Sequence, residues 1–535
     1  MRTLKEFNLK EPYYIKTALL QWSRRFNEVA WLDSNDYDQH HNTYDAVLAV
    51  EAFTAIKTDY HKAFEKLGEY QTVTKDWMFG YLSYDLKNDV ENLSSNNFDG
   101  IQFPDLYFFQ PQKLFFLKGN TLEMHYLQVV EDEMEQDFQE ILETEGRGQR
   151  AEWSEVSGLR AEDRGKMTED RGEREEWCED RGLRPEDRGK RLKGRGQRTE
   201  DKGQCTEERA IEPVSTPLKL ETRNHKPETT NPKPETPNQK PQTPNQKPET
   251  PNNKPGTTLQ LTPRISRDQY LSKVEEMLKH IHRGDIYEAN FCQEFFAEGV
   301  TIDPVEVFSR LNEISLPPFA VFLRLENHYL LSASPERYMK KTGEQILSQP
   351  IKGTARRSPV LEEDSKIALD LARDEKERSE NIMIVDLVRN DLSRIARKGS
   401  VKVDELCKVY TFKQVHQMIS TISADLEKGI PPVEVLRSTF PMGSMTGAPK
   451  ISAMKIIEDL EETKRGLYSG AVGYFSPEGD FDFNVVIRSI LYNSVSKYVS
   501  FSVGGAITSR SIPEKEYQEC RLKAEAMRLA LNSTL

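Results

Sequence analysis

The sequence predicts an α+β protein, with large, mostly antiparallel sheets packed by helices and a long disordered insertion between its two ordered parts. Three features carry that expectation. Short runs of apolar residues alternate toward both ends of the chain, strong helical periodicity is confined to a few long segments, and a repetitive central stretch has no apolar face.

The first segment, residues 1–140, reads as globular from residue 12 to about 139. Trp77–Leu86 mixes apolar and aromatic residues. Leu106–Leu117 reads as a strand followed by another across Gln110-Pro111-Gln112, and alternation in Thr121–Val130 predicts a further strand. The texture changes at about Glu143, and residues 141–262 form the second segment. Glu-Asp-Arg-Gly recurs at Glu162–Gly165, Glu169–Gly172, Glu179–Gly182 and Glu186–Gly189, and Lys-Pro-Glu-Thr or a near copy recurs from Lys226 to Lys254. Such sequence cannot offset an ordering cost of about 1–2 kcal/mol per residue, so the segment is expected to be disordered filler.

Order returns in the third segment, residues 263–535. Ser266-Arg-Asp-Gln269 has capping-box spacing, Tyr270, Val274, Met277, Leu278 and Ile281 share one helical face, and Gly284 ends the helix. Strands are predicted at Ala320–Leu325, Tyr329–Ser332, Gly470–Phe475, Val485–Leu491 and Tyr498–Val503. Helices are predicted over 364–397, 449–462 and 513–532.

Composition excludes several classes. A net charge of −13 argues against nucleic acid and anionic membrane surfaces as partners. No apolar run approaches the roughly 18 residues of a membrane helix. Met1–Tyr14 lacks the apolar centre of a signal peptide, so a cytoplasmic protein is expected. The cysteines Cys178, Cys205, Cys292, Cys407 and Cys520 are scattered and odd in number, which suits neither a disulfide framework nor a zinc site.

Several constellations can carry chemistry. Glu377 and Glu380 lie three apart on a helical segment, and Glu516 and Glu519 repeat the spacing, with Lys523 continuing that face. Four carboxylates on two helices can hold a hard cation such as Mg²⁺; either pair alone is ordinary helix surface. Lys352, in Gln349-Pro-Ile-Lys352-Gly-Thr354, is oddly placed for a surface lysine. If it is desolvated or close to other cations, its pKa falls and its amine becomes a nucleophile; otherwise it pairs with Glu336. A buried Glu336 would have a raised pKa and serve as general acid. Val503-Gly504-Gly505-Ala506-Ile507 reads as a glycine loop after a strand, exposing N–H groups to an anion. Gly443–Lys450 reads as a second loop, with Pro449 opening a helix. His416 is ambiguous between packing and function.

Taken in order, these segments resemble the chorismate-utilising enzymes, most closely their aminodeoxychorismate synthase component I branch, from Ser266 to Leu535. The likeness runs through Gly284-Asp-Ile-Tyr-Glu-Ala-Asn290, Ser334-Pro-Glu-Arg337, Pro350-Ile-Lys-Gly-Thr354, Glu380–Leu387, Arg389-Asn-Asp391, Gly447-Ala-Pro-Lys450, Asp482-Phe-Asn484, Ile487-Arg-Ser489 and Glu516-Tyr-Gln-Glu519. Leu32-Asp-Ser34, Tyr44-Asp45 and Gly80–Tyr84 resemble the family's N-terminal region more loosely, and Leu32–Ser34 is either a tryptophan pocket or a sheet edge.

The resemblance implies conversion of chorismate and ammonia to 4-amino-4-deoxychorismate, a precursor of 4-aminobenzoate and folate. Anthranilate synthases carry Ala where Lys352 stands. By the same resemblance, Lys352 attacks C2 of chorismate while Glu336 protonates the departing C4 hydroxyl, and ammonia enters at C4 and expels the lysine. Mg²⁺ is implied at Glu380 and Glu519, with Glu377 and Glu516 beside them. Thr354, Tyr468, Arg488, Lys523 and the amides of Gly504, Gly505 and Ala506 would bind substrate, and His416 would lie near its enolpyruvyl side. Glu288 stands where the family often has Gln. A separate glutamine amidotransferase subunit is the implied source of ammonia, since no nucleophilic-cysteine elbow is visible. The alternatives are anthranilate synthase component I, an isochorismate or salicylate synthase, and a catalytically silent amino-acid-binding subunit. Deleting residues 145–260 is expected to leave ammonia-dependent turnover of chorismate intact, and loss of that turnover would show that the segment is more than filler.

Overall fold

Alternation of apolar side chains along the strands builds the centre of the protein. A computed structural model describes residues 1–9, 12–37, 43–145, 154–156 and 259–534, so the expectation for 141–262 falls almost wholly outside the described residues. Within Phe319–Leu325, Ala320 and Phe322 enter one apolar cluster while Val321, Leu323 and Leu325 enter another. Met78–Leu82 behaves the same way, with Met78 and Leu82 on one face and Phe79 and Tyr81 on the other. The cluster holding Phe79, Tyr81, Val321, Leu323, Val472 and Leu491 contains no helical residue, so here sheet faces sheet. The outer faces carry helices. Arg267–Arg283 and Pro513–Ala530 pack over one side, Glu375–Ser393 and Pro432–Thr439 over another.

The described strands form one sheet of 21 strands with every pairing antiparallel, and a separate parallel pair joins Leu259–Gln260 to Ser533–Thr534. Strands from the two ends of the chain are neighbours. Glu28–Asp33 pairs with Phe319–Leu325 (Asp33 opposite Ala320), and Met78–Leu82 pairs with Ala471–Phe475 (Gly80 opposite Gly473).

Local signals account for many of the boundaries. Ser266 caps the helix Arg267–Arg283 with both bonds of a capping box, and Gly284 ends it at φ 89°, a left-handed value that suits glycine. Three expectations change. Leu106–Lys118 is one strand, not two; its partner slips register between Ala52 and Thr54, and that bulge accommodates Pro111, which has no N–H to offer. The predicted helix 364–397 is two, Leu361–Arg373 and Glu375–Ser393. They part at Asp374, whose extended backbone and side chain cap the second helix at the Glu377 N–H. Val485–Leu491 is likewise two strands, Phe481–Val485 and Ser489–Asn493, separated by Arg488 at φ 52°.

The chain ends are also joined by a buried ion pair. Lys87, 1% exposed, donates to Asp85 at 3.0 Å and to Ser95, and lies 3.5 Å from Glu458 on the helix Lys450–Leu460. Removing the cation leaves Asp85 buried and uncompensated. Lys87→Met is therefore expected to lower the unfolding free energy by about 3 kcal/mol in urea titrations, with Asp85→Asn recovering part of the loss in the double variant.

Candidate active site

Five separate elements bring charged groups together at one end of the sheet. The strand Glu288–Ala297 starts at Glu288, beside Gly447–Ala448 on one edge and Thr508 on the other. A side chain at Gly447 would meet the Glu288 carbonyl at 2.1 Å, so only glycine permits this approach. Glu336 lies between His328–Ser334 and Arg337–Thr342; its carbonyl accepts from the Val485 N–H at 3.0 Å. Lys352 is on Ile351–Arg356, where Gly353 at φ 78° allows a bulge between Lys352 and Thr354. The helices Glu375–Ser393 and Pro513–Ala530 supply the two glutamate pairs.

Lys352 is 13% exposed and its ammonium lies 3.5 Å from Glu288 Oε1, with Glu380 and Glu336 also within electrostatic reach. The expected partner, Glu336, is thus replaced by Glu288. The direction of the pKa shift is a correction too. Burial pulls the lysine pKa down, but Glu288, Glu380 and Glu336 outweigh it and hold the pKa above the ordinary value. Lys352 rests as an ammonium ion, because its neighbours are anions rather than the cations that would depress it.

The carboxylates respond in turn. Burial pushes Glu336 up to about 7, opposed by the Ser444 hydroxyl and the Lys352 charge. Burial also raises Glu380 to about 7 against the pull of Lys352 and Lys376, and one of its oxygens, Oε1, is buried without a hydrogen-bond partner. Glu377 and Glu516 are raised by burial and by the charge of Glu519. Glu519 is only half-buried, and Lys523, hydrogen-bonded to it, together with Lys376 and Lys352 holds its pKa below the usual value. Lys376 bridges the helices, 3.6 Å from Glu380 and 4.0 Å from Glu516.

The remaining predicted residues divide. Gly504, Gly505 and Ala506 are not in a loop; they lie inside the strand Tyr498–Thr508, opposite Cys292, Phe291 and Asn290. Extension of the ladder over these small residues is what the sequence reading missed. Among the described residues that strand's other edge is paired only at Tyr498–Ser500, so outward N–H groups near Gly505 have no strand partner. A side chain at Gly505 would lie 3.5–3.6 Å from Glu516, Glu519 and Lys523, which places the strand against the acidic helix. Lys523 donates to the Gly504 carbonyl at 2.9 Å and pairs with Glu519 at 2.8 Å, so it ties helix to strand. Arg488 is half-buried, and desolvation lowers its pKa with no charged neighbour contributing, which leaves a cation suited to an anionic ligand. Thr354 is exposed, and Tyr468 is buried near Arg465 and Glu461.

His416 has both ring nitrogens engaged, Nε2 with Asp364 at 2.9 Å and Nδ1 with Thr411 at 3.0 Å. Asp364 also takes two bonds from Arg357 Nε, both at 2.8 Å, and the Arg357 guanidinium holds its carboxyl well below the usual range. Sequence reasoning missed Asp364, and it missed Ser444; no local spacing ties Asp364 to a histidine 52 residues away.

A sequence model described as chorismate binding enzyme matches residues 198–529, more than half of the chain. The chain belongs to the chorismate-binding enzymes. Among relatives, the aminodeoxychorismate synthase component 1 of Escherichia coli (strain K12) is 43% identical over 255 residues, 48% of this chain and 56% of that protein. The anthranilate synthase component 1 of Thermus thermophilus is 37% identical over 263 residues, 49% of this chain and 56% of its own length. The chain thus spans about half the length of the curated relatives it matches. The anthranilate synthase component I structure from Streptococcus pneumoniae TIGR4 superposes with a TM-score of 0.63 at 22% identity, over 92% of this chain and 95% of that one. The fold is that of the chorismate-utilising enzymes. Among the described residues no helix is long and apolar enough to cross a membrane.

The elevated Glu336 pKa has a stability consequence with a definite sign. A carboxyl whose folded value (about 7) exceeds its free value binds protons more tightly when folded, so its contribution is present below about pH 4.5 and lost as pH rises toward 7. Glu336→Gln is expected to unfold like wild type near pH 4 and to be more stable by about 1–3 kcal/mol at pH 8, in urea titrations without added divalent cation.

Proposed function

We propose that this chain aminates chorismate at C4, giving 4-amino-4-deoxychorismate, with Lys352 as a covalent nucleophile. The observation that carries the reading is the placement of Lys352, a buried amine among Glu288, Glu336 and Glu380. The name of the Escherichia coli relative, aminodeoxychorismate synthase component 1, supports the same chemistry.

The resting ammonium must first lose a proton, and Glu288, 3.5 Å away, is the nearest base. The free amine then attacks C2 of chorismate. The two ring double bonds shift, C1=C2 to C1=C6 and C5=C6 to C4=C5, the C4–O bond breaks, and Glu336, its pKa pushed up to about 7, delivers its proton so that water leaves. Ammonia next attacks C4, both double bonds return to C5=C6 and C1=C2, and the lysine nitrogen is expelled from C2. One hard substitution becomes two easier ones. Arg488, lacking a charged neighbour, and the outward amides near Gly505 are suited to the acid groups of a dicarboxylate.

The carboxylates fit a divalent cation of the Mg²⁺ kind. Among the described residues no three acidic, histidine or cysteine ligands converge as a closed cage, whereas Glu380 Oε1, buried without a hydrogen-bond partner, and Glu519, held below the usual pKa, suit an open site. Mg²⁺ commonly takes one or two carboxylates and keeps several waters. Glu380 and Glu519 would hold it, with Glu377 and Glu516 beside them, and when bound it would neutralise the ring carboxylate of the substrate. Ammonia would come from a glutamine amidotransferase partner, in line with the component naming of the relatives. Anthranilate formation, named for the Thermus thermophilus relative, is the second reading.

The test incubates the purified chain with chorismate, Mg²⁺ and ammonium. The expected product carries nitrogen at C4 and becomes 4-aminobenzoate on treatment with a lyase; anthranilate in its place would overturn the assignment. Lys352→Ala is expected to abolish the covalent adduct and reduce turnover by about 100-fold or more.

A further inference from the structure

Behind Glu336 lies a cavity of about 20 Å³ that the reaction above does not use. Its walls include Glu336, Asp391, Thr439, Ser444 and Val388, which come from four different stretches of the chain. A space of this size admits one water molecule if polar groups are there to hold it. They are present. Asp391 Oδ1 is buried without a hydrogen-bond partner, while Oδ2 accepts from Lys450 at 2.6 Å. The Lys450 ammonium also donates to the carbonyls of Thr439 and Pro441 at 3.2 and 3.0 Å. A buried carboxylate oxygen left unpaired is costly, so its persistence beside a water-sized space calls for an occupant.

We propose that one water in this cavity bridges Glu336 to Asp391, and that the Asp391–Lys450 pair stores the proton that Glu336 spends and recovers in each turnover. The inference rests on the reading of Glu336 as general acid. Once Glu336 has given its proton to the C4 oxygen and the C4–O bond has broken, it is a carboxylate in an apolar setting. The cavity water passes a proton to it, Asp391 passes one to the water, and the Lys450 ammonium passes one to Asp391. When ammonia has added at C4, the new C4 ammonium returns a proton to Glu336 and the chain runs backward. Only protons move, and their number is conserved over the cycle.

The surrounding charges suit a shared proton. Burial raises Asp391 against the pull of Lys450 and Arg394, and burial lowers Lys450 against the pull of Asp391, with Arg394 lowering and Glu91 raising it further. Lys352 and Ser444 act on Glu336, Arg337 also lines the cavity, and Tyr338, bonded to Thr439, adds a titratable group near Asp391.

Two substitutions interrupt the path differently. Asp391→Asn removes the acid, and Val388→Ile fills the cavity while leaving the Asp391–Lys450 pair intact. In the full chain, turning over chorismate and ammonium with Mg²⁺, each is expected to lower kcat about tenfold or more with the chorismate KM unchanged. The dependence of kcat on deuterium fraction, curved in wild type because several protons move, is expected to become linear in both. If both variants keep the wild-type kcat and curvature while Glu336→Gln loses turnover, the relay is wrong and the acid assignment stands. If Glu336→Gln also turns over normally, the acid assignment itself fails. Should Asp391→Asn not fold, Val388→Ile decides alone.

Discussion

The charge balance around Lys352 governs the site. Glu288, Glu336 and Glu380 are each buried, and three carboxylates in so little water would repel one another and take up protons. The Lys352 ammonium, with Lys376 beside Glu380, opposes the effect of burial, and the carboxylates in turn keep Lys352 charged. The Lys352 amine is therefore free only when a neighbour accepts its proton.

Such a cluster needs a rigid frame, because its members come from positions as far apart in sequence as Glu288 and Glu519. The frame is the face-to-face packing of strands, extended by the N-terminal strands, which supply none of the proposed site residues. Their part is mechanical. Phe79, Tyr81, Phe109 and Phe116 fill the space between sheets and lock against Val321, Leu323 and Val472. The fully buried Arg337, next to Glu336, is clamped by Asp482 and Gln349, so the acid enters its pocket from a fixed stretch of backbone.

Much of this was legible locally. The capping box at Ser266, the Gly284 terminus and the i,i+3 glutamate pairs follow from helix geometry, and the strand alternation in Phe319–Leu325 follows from the pleat. Other features were hidden for physical reasons. Asp374 breaks a predicted helix, and its capping role three residues before Glu377 shows only when the backbone leaves the helix. Gly504–Ala506 looked like a loop because small residues are frequent in loops. At Gly504 the reason is the neighbouring strand, since a side chain there would meet the Phe291 carbonyl at 2.1 Å and Cys292 at 2.6 Å. The bonds of His416 to Asp364 and Thr411 need a strand and a helix to meet, which spacing does not encode.

The amino-acid sequence by itself determined the alternating and helical periodicities, the caps, the glutamate pairs and the family motifs, because each depends on residues within a few positions of one another. Tertiary structure alone decided the ionisation of Lys352, the elevated acids Glu336 and Glu380, and the unpaired oxygen of Asp391. Those properties depend on burial and on charges brought near by distant segments, and a side chain's electrostatic surroundings exist only after the chain has folded.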